Sequence, residues 1–141
     1  MTFKVDVARA FCNLRVDPAD ALKFGIAFNN EYFLDAAVEF GWVHRSAVYL
    51  RASDAIADVM RQQGYNFICY IDDYICIMER DKADLAYSFL LELLSKLGLP
   101  VNKKKLVPPS KVLTCLDIDI DLNNNTLSIE ENKLQNILHY G

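Results

Sequence analysis

Two hydrophobic rhythms alternate along the chain. Residues 3–7 repeat with period two, Phe3, Val5 and Val7 apolar around Lys4 and Asp6, which predicts a strand with Asp6 near its end. Residues 8–14 follow as a turn or short helix, and Asp17-Pro18 marks a break, because the residue before proline avoids the helical region. Residues 22–28 and 31–34 read as two strands. Asn29-Asn30 joins them as a two-residue turn tolerant of positive φ, the signature of a hairpin. Residues 36–44 are loop-like and contain Phe40, Gly41 and Trp42.

From Ser46 the spacing becomes helical, through Val48, Ala52, Ala55, Ile56, Val59 and Met60, and Gly64 is a plausible stop. Residues 66–78 are rich in β-branched and aromatic side chains, with no Gly or Pro, and read as two short strands with Asp72-Asp73 at the tip between them. Asp81 is placed to cap the next helix, whose apolar face is Leu85, Ala86, Phe89, Leu90, Leu93, Leu94 and Leu97; Gly98 ends it and Pro100 prevents its continuation. Asn102 to Lys105 is a basic cluster and Pro108-Pro109 a stiff bend. Residues 112–120 read as one strand, alternating strictly from Leu116, with Asp117, Asp119 and Asp121 on one face. Residues 123–125 form a turn and residues 126–129 a short strand. Ser128 to Glu131 spells a capping box that opens a last helix.

Helices covering one face of an antiparallel sheet give an α+β fold. The core order of strand, helix, hairpin, helix, strand resembles a split βαβ arrangement of the ferredoxin-like kind, in which Asp6 can end up beside Asp72 and Asp73. Residues 1–141 make a single domain, and an apolar content of 52% suits a globular chain and not a disordered one. No apolar run is long enough to cross a membrane, and no basic segment followed by an apolar one marks a signal peptide. The four cysteines form no C-x-x-C pair and only two histidines are present, so a zinc site is not expected. Buried thiols fit a reducing compartment, intracellular and either cytoplasmic or nuclear. A net charge of −4 argues against a self-sufficient nucleic-acid binder, but suits a catalytic core whose basic grips lie elsewhere. Entry into structure at residue 3 suggests a segment upstream.

Two adjacent carboxylates repel unless a cation offsets them, and hard oxygen ligands suit Mg²⁺ or Mn²⁺. The same pair also suits an ordinary turn. Three carboxylates from two neighbouring strands have the composition of a two-ion site, in which ions about 4 Å apart activate an attacking oxygen and stabilise a leaving one.

At this point the chain resembles the palm of a reverse transcriptase. Asp6 followed five residues later by Phe11 matches the first palm motif. Phe40, Gly41 and Trp42 with Ser46 resemble the second, and Tyr70-Ile71-Asp72-Asp73 matches the Y-x-D-D signature of the third. Residues 97–105 resemble the fourth, and residues 113–119 the primer grip. The five occur in order and cover residues 3 to about 130. The wording around them is closest to retroelement polymerases of the DIRS or Ty3-like type.

The resemblance implies an RNA-directed DNA polymerase domain that transfers a nucleotidyl group from a dNTP to a primer 3′-hydroxyl on an RNA or DNA template. It implies two Mg²⁺ ions, with Mn²⁺ as a substitute, held by Asp6, Asp72, Asp73 and the carbonyl of Val7. Phe11 would lie under the incoming sugar and exclude a 2′-hydroxyl; as a residue alone it reads first as a core aromatic. Gly41 and Trp42 would shape the nucleotide and template side, though a Gly-Trp pair is otherwise only a loop. Tyr70 would touch the primer terminus or nucleotide. Lys105 would approach the triphosphate and protonate pyrophosphate, with Lys104 as second candidate, and a solvated basic turn as the plain reading of both. The remainder of a retroelement polyprotein would be a partner, and no membrane would be.

Two positions depart from the family pattern. Arg45 stands before Ser46 where a small residue is usual, and Asp117 stands where the primer grip has Gly. The fingers segment upstream and the thumb downstream are absent, with residues 128–141 as the start of a truncated thumb or connection helix. These features keep open a second reading, a catalytically inactive retroelement remnant or a non-catalytic module that binds nucleic acid or protein.

Overall fold

The computed structural model describes residues 1–37 and 45–139, apart from the side chains of Arg45 and Leu138. Phe40, Gly41 and Trp42 lie outside the described residues, as does the side chain of Arg45. The first strand, β1 (Thr2–Asp6), runs antiparallel to β5 (Asp73–Ile77), which pairs on its other side with β4 (Phe67–Tyr70). Beyond β1 lies β6 (Val107–Ser110), so the sheet order is β4-β5-β1-β6. Because β1 and β4 are both antiparallel to β5, they are parallel to each other. An 18-residue helix (Arg45–Gln62) connects β1 to β4, and a 17-residue helix (Arg80–Lys96) connects β5 to β6. This is the split βαβ order read from the sequence.

The period-two pattern of β1 decides the faces. Phe3, Val5 and Val7 point into the core with Phe67, Tyr74 and Cys76, and meet Tyr49, Ile56, Ala57 and Met60 of the first long helix and Ala86, Leu90 and Leu94 of the second. Each fully buried large apolar side chain contributes about 1.5–3 kcal/mol. Lys4 and Asp6 point to the opposite face. There Ile75 is covered by Leu113, Cys115 and Val107. Gly64 (φ 82°) and Gly98 (φ 71°) follow the two long helices in the left-handed conformation that ends them.

Several sequence expectations shift. Residues 112–120 are not one strand: β7 (Val112–Cys115) and β8 (Ile118–Asp121) fold into a hairpin, with Leu116 (φ 51°) and Asp117 (φ 63°) as a left-handed two-residue turn. The alternation continues through that turn and so conceals it. With β9 (Thr126–Ile129), this hairpin makes a three-stranded sheet. Pro108 and Pro109 sit within β6, the terminal strand, where missing N–H donors are tolerated, and the pairing of β6 with β1 shifts register between its two partnered positions. Ser128 belongs to β9 and caps nothing; the last helix (Glu131–His139) follows Glu130, whose carbonyl accepts the Lys133 and Leu134 N–H groups. Glu79, not Asp81, precedes the helix Arg80–Lys96.

Asp17 is more than a break. Its side chain accepts the Ala19 N–H at 2.9 Å and caps a one-turn helix, Pro18–Ala21. The strand expected over 22–28 therefore begins at Gly25. It forms β2 (Gly25–Phe28) and pairs with β3 (Glu31–Leu34) through Asn29 (φ 50°) and Asn30 (φ 61°), as their composition predicts. Among the described residues no helix is long and apolar enough to cross a membrane.

Candidate functional site

The register of the central strands places Asp6 directly opposite Asp73. The turn between β4 and β5 is Ile71-Asp72, so the tip holds one aspartate and the other opens β5, a one-residue correction to the expected Asp-Asp tip. Ile71 has φ 55°, costly for a β-branched residue, and two bonds hold the turn in place. Ser53 Oγ, fully buried on the first long helix, donates to the Ile71 carbonyl at 2.6 Å and accepts from the Tyr74 hydroxyl at 3.3 Å. The Val7 N–H donates to the Asp72 carbonyl at 3.1 Å.

The segment after the second long helix is laced to the end of β1. Ala8 N–H donates to the Pro100 carbonyl at 2.7 Å, and Asn102 N–H to the Asp6 carbonyl at 2.8 Å. Asn102 Oδ1 then accepts the Lys104 N–H, tightening the turn. The result separates the two candidate lysines. Lys105 Nζ lies 3.0 Å from Asp6 Oδ2, while Lys104 is exposed on the turn.

Asp6 is 3% exposed. Burial pushes the Asp72 carboxyl above the usual carboxylate range, the Asp6 and Asp73 charges push the same way, and its own backbone hydrogen bond and the Lys105 ammonium oppose them. The Lys105 ammonium is raised above its ordinary value, first by its hydrogen bond to Asp6 and then by the fields of Asp6, Asp73 and Asp72. Two of the three carboxylates meet lysines: Asp6 meets Lys105, and Asp73 Oδ1 lies 3.0 Å from Lys4 Nζ. Among the described residues no three His, Cys, Asp or Glu side chains close into a metal cage. The side chains of Asp6, Asp72 and Asp73 offer only hard carboxylate oxygen, the donor type that suits Mg²⁺ or Mn²⁺.

Phe11 packs against Tyr49, ring centroids 5.2 Å apart, on a 3-10 turn (Ala10–Asn13) that follows Arg9 in the left-handed region. It is part-buried at the margin of the core. Tyr70, opposite Asp73 at the end of β4, is 56% exposed. Asp117 pairs with Lys133 at 3.2 Å. Sequence reasoning missed Lys4 and Ser53. Lys4 had a signal, since it lies two residues before Asp6 on the same strand face. Ser53 had none, since a serine inside a helix carries no mark of the turn it braces.

No family model matches the chain, and no curated protein does. Solved structures do. A foamy viral protease-reverse transcriptase in complex with double-stranded DNA superposes with a TM-score of 0.84 at 14% identity, over 96% of this chain and 24% of that one. The fold is reverse-transcriptase-like. A second foamy viral protease-reverse transcriptase, in complex with dsDNA, gives 0.83 at 14% identity, over 96% of this chain and 28% of that one. A third, in complex with an RNA/DNA hybrid, gives 0.81 at 16% identity, over 96% and 18%. The chain thus spans between 18% and 28% of the length of these three chains.

Proposed function

We propose that this chain is the palm of an RNA-directed DNA polymerase from a retroelement of the DIRS or Ty3-like type. The observation that carries the reading is the register that sets Asp6 opposite Asp73 and beside Asp72, at the end of two central strands, in a reverse-transcriptase-like fold. In this reading Asp6, Asp72, Asp73 and the Val7 carbonyl hold two Mg²⁺ ions, or Mn²⁺. When bound, such ions supply charge stabilisation to the attacking and leaving oxygens of an in-line displacement.

The chain's own residues do the rest. Lys105 leaves Asp6, faces the triphosphate of a dNTP and holds the proton that pyrophosphate takes as it departs. Phe11, braced by Tyr49, lies beneath the sugar and disfavours a 2′-hydroxyl. Tyr70 offers an exposed ring to the primer terminus or the incoming nucleotide. Gly41 and Trp42 complete the nucleotide and template side. The partners are an RNA or DNA template with its primer and the remaining polyprotein, consistent with the double-stranded DNA and RNA/DNA hybrid bound by the foamy viral proteins.

The test is primer extension by the chain completed with homologous fingers and thumb. Asp72→Asn is expected to lower the rate at least a thousandfold, and extension at the wild-type rate would reject the assignment. A second reading, a non-catalytic binding module, draws on Asp117, a carboxylate in a left-handed turn where the resemblance implies Gly. It expects no extension even from the completed wild-type protein.

A further inference from the structure

Lys4 has no part in the roles above, yet it sits inside the site. It lies two residues before Asp6 on the same face of β1, beside Asp73 of the neighbouring strand. Its ammonium is 3.0 Å from Asp73 Oδ1, with side chains 16% and 17% exposed. That oxygen is closed to solvent and receives no aligned hydrogen bond, so the Lys4 charge is what offsets its burial. Ile75, the cross-strand partner of Lys4, is covered by Leu113 and Cys115 of β7, so Lys4 is walled in from above. Lys105, equally close to its own carboxylate, differs in its setting. Its side chain is 60% exposed and stands on a turn, free to leave Asp6.

We propose that Lys4 is a positioning residue of this site. Its ammonium occupies Oδ1 of Asp73, leaves only the other oxygen of that carboxylate to face an arriving divalent cation, and stays in place when Lys105 is displaced. The proposal rests on the divalent-cation reading given above. Three carboxylates against two ammonium groups leave one negative charge; with Lys105 gone and Lys4 retained there are two, and with both lysines gone there would be three. Removing the Lys4 charge exposes a further oxygen and deepens the negative potential, and both effects tighten cation binding.

The experiment is titration of the full chain with Mn²⁺, followed by the electron paramagnetic resonance of the free ion, with circular dichroism confirming the fold. Lys4→Gln and Lys4→Met are expected to bind Mn²⁺ about tenfold more tightly than wild type. Lys4→Arg, which keeps the charge and the pair, is expected to match wild type. Unchanged or weaker affinity in folded Lys4→Gln and Lys4→Met overturns the role of Lys4. Absence of Mn²⁺ binding by wild type, or binding undisturbed by Asp72→Asn, overturns instead the cation site itself. Should neither uncharged variant fold, wild type labelled with ¹³C at the lysine ε-carbon decides. On adding Mg²⁺ the Lys105 signal is expected to move and the Lys4 signal to stay. Movement of the Lys4 signal to the position of a free lysine overturns the proposal.

Discussion

Asp72 carries the electrostatic cost of the carboxylate cluster. Its folded pKa is raised by burial first and by Asp6 and Asp73 after it. The folded chain therefore keeps that proton to higher pH than the unfolded chain. Stability from this group is full below the ordinary carboxylate pKa and is lost as pH climbs through the raised one. In chelator at pH 7, Asp72→Asn is expected to melt above wild type, and the gap is expected to close as pH falls to about 3, below the ordinary carboxylate pKa. Thermal melts across that range check it; a lower melting temperature for the variant at pH 7 would contradict it. Residue identity singled out Asp6, Asp72 and Asp73 as carboxylates in otherwise apolar stretches, and the register of the strands adds that Asp6 stands opposite Asp73. The ranking of Lys105 before Lys104 came from the motif alone, and the contact of Lys105 with Asp6 was not legible. It depends on the two hydrogen bonds that lace residues 100–102 to the end of β1, a tertiary fact.

Hairpin turns separate the elements that composition reveals from those it hides. Asn29-Asn30 announced its turn because asparagine tolerates positive φ. Leu116-Asp117 did not, because leucine there works against the backbone it occupies. Tertiary packing overrides it: Leu113 and Cys115 are anchored on Ile75, and the Glu130 N–H closes on the Asp117 carbonyl at 2.9 Å. Replacing the pair with Leu116→Asn and Asp117→Gly is expected to raise unfolding stability by about 1 kcal/mol, since Asn-Gly suits a left-handed two-residue turn. The Asp117–Lys133 ion pair lost in the exchange is exposed and contributes little. Denaturant midpoints read the change; a destabilised double variant would show that the turn residues serve a contact instead. The two long helices, by contrast, were legible nearly end to end, because their apolar spacing and the glycines after them agree.

Across the whole molecule the burial is uneven. The four-stranded sheet and its two helices enclose the larger core, whereas β2 and β3 are exposed at every position. Phe28 is 66% exposed and Tyr32 88%. Such an apolar ribbon is a liability in water. The isolated chain is expected to self-associate at tens of micromolar, and Phe28→Lys with Tyr32→Lys is expected to reduce that association at least severalfold. Light scattering and sedimentation would check it. Equal association in the double variant would move the sticky surface elsewhere, to Leu127 and Ile129 on β9 or Ile137 on the last helix.

The prolines of β6 have a different consequence. Edge-to-edge joining of sheets needs a row of free N–H donors, and Pro108 and Pro109 offer none. The opposite edge, β4, is proline-free, with the Phe67 carbonyl receiving Arg61 Nε at 3.3 Å. The main sheet is therefore one-ended for strand addition. Two copies that joined through β4 would each present only a proline-blocked margin to a third, so association by this route terminates at a pair and does not run on into a fibril.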